Sequence, residues 1–193
     1  MVEYSNELKI PKERIAVLIG IKGSTKREIE KATNSKIEID SKEGDIIVSG
    51  EDALSLMTAR EVLRAIGRGF NPDIALLALK SDYTFELFNI SDFAKSQNDA
   101  IRLKGRVIGS EGKSRHQLEE LTETNICVYG KTIGIIGRME NVGIAKRAVD
   151  MLLKGSTHPS VYSWLEKTRR KMKTAEYLMG KKIWLRIILK QAY

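Results

Sequence analysis

An internal repeat limits what this 193-residue chain can fold into more than any other feature of its sequence. Residues 15–39 match residues 104–128 at a constant offset of 89, so that Gly20 and Gly23 align with Gly109 and Gly112. Hydrophobic positions on either side of these glycines align as well. A repeat of this kind indicates one supersecondary unit used twice. We therefore expect two similar domains of about 70 residues each.

Each copy predicts the same order of elements, which is strand, helix, helix, strand, strand, helix. Strict alternation of apolar and polar residues over 36–40 is typical of a half-buried strand, and the apolar positions of 51–68 recur at helical spacing. In the first copy we expect strands at 7–10, 36–40 and 46–49 and helices at 11–19, 24–34 and 51–68, with Ser24 as the cap of the second helix. In the second copy we expect strands at 85–90, 125–129 and 132–136 and helices at 98–108, 113–122 and 141–153.

Four segments divide the chain. We expect a first domain at 1–70, a short helical linker at 71–81, a second domain at 82–157, and a basic C-terminal helix and tail at 158–193. The segment 72–79 is apolar and nearly free of glycine and serine, so it predicts a short helix that packs the two domains together. A final helix is predicted over about 160–178 by an apolar stripe that includes Val161, Trp164 and Leu165, and the apolar stub 183–189 stays unassigned.

The formal net charge of +8 is confined to the end of the chain. Residues 1–153 contain 23 Lys and Arg against 23 Asp and Glu, whereas residues 154–193 contain 10 against 2. A run of this kind forms a solvated helix face, and it also attracts polyanions such as nucleic acid. The sequence leaves both interpretations open.

Several function classes are disfavoured by composition. Cys127 is the single cysteine, which excludes a disulfide framework and a Cys-rich zinc site. The two histidines, His116 and His158, lie 42 residues apart, so we expect no metal and no cofactor. No apolar run approaches the roughly 18 residues of a membrane span, and residues 1–10 do not have the pattern of a secretion signal. We therefore expect a cytoplasmic protein without membrane contact.

A Gly-x-x-Gly loop joins two helices in each copy, at Gly20–Gly23 and at Gly109–Gly112. Glycines let a backbone approach a bulky anion, and the free amides and positive dipole at the start of the second helix can hold that anion. Each loop therefore predicts a phosphate clamp. Gly134 and Gly137 have the same spacing within apolar surroundings, and we interpret them as strand and turn glycines.

Basic residues surround both loops although each copy is neutral in total. Those near the first loop are Lys12, Arg14, Lys22, Lys26, Arg27 and Lys31, and those near the second are Arg102, Lys104, Arg106, Lys113 and Arg115. Such a local field suits a phosphodiester ligand. Glu111 in the second loop opposes it. Because five basic charges outweigh one acid, we predict that the second copy is the stronger site.

Catalytic interpretations fit the residues less well. The stretch Gly109–Ser114 ends in Gly-Lys-Ser like a P-loop, but Val107 stands where a P-loop needs glycine and a helix is predicted where a strand is needed. No Ser/His/Asp spacing and no paired carboxylates stand out. We expect a protein that is not an enzyme.

The element order and the segments VLIGIKGSTKREIEKATNSKIEI and RVIGSEGKSRHQLEELTETNICV resemble a type I KH domain. Tandem copies followed by GSTHPSVYSWLE are similar to archaeal relatives of the partner-of-Nob and KRR-type pre-ribosomal RNA processing factors. The resemblance spans residues 7 to about 170. It implies an α+β fold of two tandem type I KH domains, each a three-stranded antiparallel sheet on three helices, with a basic C-terminal helix.

The resemblance also implies binding of single-stranded RNA, with the backbone of about four nucleotides at the loop and the bases in an apolar groove between the two helices and the middle strand. The implied groove walls are Leu18, Ile19, Ile21, Ile37 and Ile39 in the first copy and Val107, Ile108, Ile126 and Val128 in the second. The implied RNA-binding residues are Gly20, Ile21, Lys22, Gly23, Lys26, Arg27, Arg102, Arg106, Gly109, Ser110, Glu111, Gly112, Lys113 and Arg115.

The subfamily implies small-subunit ribosomal RNA near its 3′ end as the target and a role in ribosome maturation. It implies a Nob-type endonuclease and ribosomal or translation-initiation proteins as partners. The alternative is a protein-interaction adaptor that uses a KH surface within a translation or RNA-processing complex, with the stub 183–189 as its adhesive segment. Salt dependence distinguishes the two, because phosphate contacts weaken steeply with salt and apolar contacts do not.

Overall fold

The computed structural model describes the backbone of residues 4–191, and in the last helix it describes side chains as far as residue 174 and at 177 and 178. The first domain consists of β1 (Tyr4–Lys9), α1 (Lys12–Ile19), α2 (Ser24–Thr33), β2 (Lys36–Ile39), β3 (Asp45–Gly50) and α3 (Ala53–Gly67). A linker follows, formed by α4 (Pro72–Ala75) and a 3-10 turn at Leu76–Leu79. The second domain consists of β4 (Tyr83–Asn89), α5 (Gln97–Ile108), α6 (Lys113–Thr122), β5 (Asn125–Tyr129), β6 (Thr132–Arg138) and α7 (Met139–Leu153), and α8 (His158–Gln191) comes last.

The predicted order of elements is confirmed in both copies. Each domain has a three-stranded antiparallel sheet, with strand orders β1-β3-β2 and β4-β6-β5. Three helices contact each sheet or one another, which gives the α+β fold expected from the sequence. β1 begins at Tyr4 instead of residue 7 because its polar first residues pair with the end of β3, where Tyr4 lies opposite Gly50. Backbone hydrogen bonds, which leave no hydrophobic pattern, extend this strand.

Each domain has its own hydrophobic core between helices and sheet. Leu18, Ile29, Ile37 and Leu63 are fully buried in the first core, and Leu103, Leu118, Ile133 and Leu152 are buried to the same degree or nearly so in the second. The two cores also share polar details. In each domain the backbone N–H of the second residue of the next strand donates to a glutamate on the second helix, at 2.8 Å from Ile37 to Glu30 and at 2.7 Å from Ile126 to Glu119.

The two domains pack together, as predicted. The outer face of the second sheet contacts the first domain, where the Phe70 and Phe85 rings meet edge to face at 5.9 Å. A Cβ at Gly134 would lie 2.6 Å from Cε2 of Phe70, so this strand glycine allows the contact. At the edge of the interface, the Tyr129 hydroxyl donates to Oε1 of Glu13 at 2.6 Å. Gly134 and Gly137 both lie in β6, so the prediction of a strand glycine is confirmed, whereas neither is a turn glycine, because the strand continues past residue 136 to Arg138.

α8 packs on α6 and α7 through the predicted stripe. Val161 and Leu165 are buried, and Trp164 is half-buried beneath the Arg147 guanidinium. The helix continues to Gln191, beyond its predicted end near 178, because a lone glycine such as Gly180 costs about 1 kcal/mol and does not end a helix. The segment 183–189 therefore belongs to this helix, and its side chains lie outside those that the structure describes. Over the described residues, no helix has the length and apolar character to cross a bilayer.

Candidate nucleic-acid interface

Both Gly-x-x-Gly loops have the same strained backbone. Three of the four residues in each loop have positive φ, namely Gly20 (71°), Lys22 (51°) and Gly23 (78°), then Gly109 (74°), Glu111 (53°) and Gly112 (77°). A left-handed conformation costs a residue other than glycine of order 1 kcal/mol or more. The same strain at Lys22 and at Glu111 indicates that the loop geometry is built into the fold and does not depend on one side chain.

The two glycines of each loop have different roles. A Cβ at Gly109 would lie 2.6 Å from the backbone nitrogen of Ser114, and a Cβ at Gly20 would lie 2.9 Å from that of Thr25. These first glycines therefore let the loop fold tightly against the start of the next helix. A Cβ at Gly23 or at Gly112 would meet nothing within 4 Å. The second glycine of each loop thus faces open space into which a ligand backbone can come.

The helix that follows each loop begins without a side-chain cap. The sequence predicted Ser24 as the cap of α2, but the cap residue is Gly23, and Ser24 is the first helical residue. Gly112 precedes α6 in the same way, and neither helix has an acidic residue in its first turn. The prediction of Ser24 failed because the left-handed glycine already turns the chain. Uncapped amides and an undiminished dipole favour an anion at this point.

Fewer apolar side chains are accessible in the groove beside each loop than the sequence predicted. Leu18, Ile37, Val107 and Ile126 are buried in the cores, so they support the groove from beneath. The residues that remain accessible are Ile19, Ile21 and Ile39 in the first domain and Ile108 and Val128 in the second. Ile21 is 85% exposed, which is unusual for an isoleucine on a loop. These side chains offer an apolar surface to an unstacked base.

Sequence reasoning missed one groove position. Gly105 lies in the last turn of α5, four residues before Gly109, and a Cβ there would meet nothing within 4 Å. Glycine inside a helix costs about 1 kcal/mol relative to alanine, so its presence favours close approach of a ligand. The repeat aligns it with Ala16 in α1, which is exposed. The signal available in the sequence was a small residue at the same place in both copies.

The cations of the first loop are placed at its rim. Lys22 and Arg27 are exposed, and Nη2 of Arg27 donates to the Lys22 carbonyl at 2.7 Å, which holds the loop. Lys26 is half-buried, with Nζ 3.6 Å from Oε1 of Glu30. Arg14 is used by the fold, because its guanidinium donates to the carbonyls of Ile66 at 2.9 Å and Phe70 at 2.6 Å.

The cations of the second loop are more strongly engaged than their number suggested. Arg106 donates to the carbonyls of Leu152 and Ser156 at the end of α7, so it stabilises the domain. Arg102 pairs with Asp99 at 2.7 Å, Lys113 with Glu111 at 3.5 Å and Arg115 with Glu119 at 3.6 Å. Of the five cations counted for this loop, Lys104 alone has no hydrogen bond or ion pair to another described residue. The prediction that the second copy is the stronger RNA site counted five cations at its loop, and most of these cations already contact protein groups.

Two titratable side chains near the second loop and the domain interface have shifted pKa values, and neither belongs to a metal-binding group of described residues. The Lys95 backbone N–H donates to the Asp99 carboxylate and is the main cause of its lowered pKa. The hydrogen bond from the Arg102 guanidinium lowers this pKa further. Burial raises the pKa of the Cys127 thiol, which lies in the domain interface. Within the described part of the chain, no group of His, Cys, Asp and Glu side chains is arranged to hold a metal ion.

Residues 84–170 match the family model described as a eukaryotic type KH-domain (KH-domain type I), and residues 5–65 match the model for the KH domain. Together with the sheet order and the two glycine loops, these matches define a protein with two tandem type I KH domains. The chain is 50% identical over 179 residues to a KH domain-containing protein of Methanocaldococcus jannaschii. That match covers 91% of this chain and 78% of the relative.

Two further comparisons give the subfamily. The chain is 42% identical to a chain of the solved a/eIF2alpha-aDim2p-rRNA complex from Pyrococcus horikoshii OT3, with a TM-score of 0.82 and coverage of 88% of this chain and 96% of that one. It is 31% identical over 125 residues to the pre-rRNA-processing protein pno1 of Aspergillus fumigatus, covering 63% of this chain and 50% of that relative. The chain therefore spans about half the length of this eukaryotic relative. It belongs to the family of PNO1-like archaeal KH-domain proteins.

Proposed function

We propose that this protein binds single-stranded RNA through its KH grooves and acts in the maturation of the small ribosomal subunit. The observation that carries the proposal is the paired loop geometry, in which the second glycine of each loop faces open space beside an uncapped helix start. Backbone amides there suit a phosphate, and the accessible apolar side chains suit an unstacked base. The similar solved complex that contains rRNA supports the same ligand class.

The target that we propose is small-subunit ribosomal RNA near its 3′ end. On this account the protein places the RNA for a separate nuclease of the Nob type, in the cytoplasm, and has no catalytic activity of its own. Ribosomal or translation-initiation proteins are the other proposed partners. The pre-rRNA-processing relative and the complex with a/eIF2alpha support this assignment.

Crosslinking in living cells tests the proposal. RNA recovered with the protein is sequenced, and the 3′ region of small-subunit ribosomal RNA is expected to be enriched over the rest of that molecule. The control is a variant with Gly23→Asp and Gly112→Asp, which places an acid against phosphate at both loops. Equal recovery of all RNA regions with both proteins would contradict the proposed target.

A protein-binding surface on the first domain is the second candidate. α3 exposes Leu54 (72%) and Met57 (60%), which lie three residues apart on one helix face. Pull-down of purified translation-initiation and ribosomal proteins, repeated at rising salt, tests this candidate. Capture that persists at high salt and is lost on Leu54→Ser with Met57→Ser is the expected result. Capture by the variant as by the unchanged protein would contradict it.

A further inference from the structure

The two domains differ at the start of the helix that leads to the glycine loop. α5 has 12 residues and α1 has 8, so α5 is about one turn longer. The connection before α5 is also longer, because residues 90–96, which include a 3-10 turn at Ile90–Asp92, separate it from β4. In the first domain, only Ile10 and Pro11 separate β1 from α1. The second domain therefore carries additional structure at this end of its groove.

The additional structure forms a pocket of about 450 Å³, large enough for a small ligand. Its apolar part comprises Ile90, Ala94, Ala100 and Ile101, and the Ile101 side chain is 61% exposed. Its charged part comprises Lys95, Lys104 and Lys131. No described carboxylate lies within ion-pair distance of these three ammonium groups. An apolar floor with a cationic rim suits the base and the phosphate of a nucleotide.

The pocket continues the groove of the second domain. Ile101, Gly105 and Ile108 occupy one face of α5, because they are spaced by four and then three residues. Lys131 lies in the turn directly after β5, the strand that carries Val128. The glycine loop follows the C-terminal end of α5, and the pocket lies beside its N-terminal half. The pocket therefore lies at the end of the groove away from that loop.

We propose that this pocket receives a further nucleotide of the bound RNA strand, beyond those held at the glycine loop. The base lies on Ile101 and Ala100, and Lys95 and Lys131 contact the adjoining phosphates. This inference rests on the proposed function, because it concerns the same strand. It predicts that the second domain reads a longer segment than the first domain and derives affinity from both ends of its groove.

The test uses fluorescein-labelled oligonucleotides from the 3′ end of small-subunit ribosomal RNA. A tetranucleotide is compared with versions that carry two more nucleotides at the 5′ end or at the 3′ end. Extension at one of the two ends is expected to raise the affinity by about tenfold, since one end leads to the pocket and adds phosphate contacts. Lys95→Ala with Lys131→Ala is expected to abolish this gain and leave tetranucleotide affinity unchanged, because neither lysine belongs to the cations of the glycine loop. For the extended oligonucleotide, the slope of log K against log salt should fall by about 1.4.

The matched control is Lys146→Ala with Lys154→Ala, which removes the same charge from α7 and its C-terminal cap. It should keep the gain, and Ile101→Ser should reduce it without loss of melting temperature, because Ile101 is exposed. If the unchanged protein binds the oligonucleotides but shows no gain, or if both double variants behave alike, the pocket proposal is overturned. If the unchanged protein binds none of them, the proposed RNA-binding function is overturned instead.

Discussion

Arg106 holds the end of α7 to α5 with its guanidinium, which donates to the Leu152 carbonyl at 3.0 Å and also to the Ser156 carbonyl. Arg106→Ala removes both hydrogen bonds, although the Leu152 carbonyl still accepts from the Gly155 backbone N–H at 3.1 Å. We expect the free energy of unfolding to fall by about 1–3 kcal/mol. The control is Arg102→Ala, which breaks a more exposed ion pair with Asp99 and should cost about 0–1 kcal/mol. Chemical denaturation measures both. An equal decrease in the free energy of unfolding for both variants would mean that the Arg106 hydrogen bonds stabilise the domain no more than an exposed ion pair does.

Substitution of Gly105 tests whether the face of α5 that carries Ile101, Gly105 and Ile108 lines the RNA-binding groove. Gly105→Leu is expected to lower RNA affinity because the side chain enters the open space over the helix, and to raise the melting temperature slightly because leucine favours helix. The matched control is Gly143→Leu in α7, where a Cβ also meets nothing within 4 Å. Titration with one RNA should separate the two variants. An unchanged affinity for Gly105→Leu would place the ligand elsewhere.

Single residues were predictable from the sequence to different degrees. The loop glycines were found because the repeat sets them at one offset, and the positive φ of Gly20 and Gly109 gives the physical reason. Arg106 was assigned to RNA from its charge and position, since its partners Leu152 and Ser156 lie 46 and 50 residues away. A sequence gives the charge of an arginine but not the carbonyls within its reach.

The two loops differ most in the charge at their third position. Lys22 and Glu111 have exposed side chains and the same left-handed backbone conformation. Lys22→Glu and Glu111→Lys should therefore leave the melting temperature unchanged. We expect Lys22→Glu to weaken RNA binding and Glu111→Lys to strengthen it, and the salt slope should change by about 0.7 for each phosphate that the loop releases or binds. If the second domain is the stronger site, as the sequence predicted, the gain from Glu111→Lys exceeds the loss from Lys22→Glu. Unchanged binding by both variants would exclude the loops as the site.

At the scale of elements, hydrophobic periodicity predicted nearly every helix and strand. α6 and β5 have the predicted bounds, because α6 follows a glycine and ends where a polar segment begins, and β5 is a short apolar run that ends before Gly130. The length of α8 and the start of β1 were missed, because backbone pairing and helix continuation leave no apolar pattern. The pocket beside α5 was missed since its walls come from three separate segments, around Ser91, Ile101 and Lys131.

At the scale of the whole molecule, the domain interface gives a pH-dependent contact. The Tyr129 hydroxyl donates to Glu13, and this bond lowers the pKa of the Glu13 carboxyl and raises the pKa of Tyr129. The contribution of the bond is therefore present above the ordinary glutamate pKa of 4.5 and is lost as pH falls through the lowered value. It is also lost as pH rises through the raised pKa of Tyr129, above 10.

Tyr129→Phe removes this bond and keeps the ring. We expect the variant to melt below the unchanged protein at pH 7, and the difference should shrink at acid pH and again above pH 10. Differential scanning calorimetry across that range measures it. A difference that is constant with pH would show that ring packing, and not the hydrogen bond, carries the effect.

The packing of the domains was predictable, but the surfaces involved were only partly so. β6 is buried at every position from Thr132 to Gly137, whereas β3 alternates between exposed and buried positions over Asp45–Val48. The continuous apolar run of β6 indicates a strand covered on both faces. Ile46, Ile47 and Val48 of β3 are just as apolar, yet Ile47 is 41% exposed, so the apolar run alone does not distinguish the two strands. The partner on the second face, around Phe70, could not be inferred because it lies far away in the chain.

If the KH grooves hold single-stranded RNA, pairing the same RNA with its complement must weaken binding. The affinity for a 12-nucleotide RNA from the 3′ end of small-subunit ribosomal RNA is measured at one salt concentration, alone and annealed to its complement. Only unstacked bases fit a groove with Ile108 and Val128 as its accessible walls, so the single strand is expected to bind about tenfold or more tightly. Equal affinity for the single strand and the duplex would show that the grooves do not hold unstacked bases.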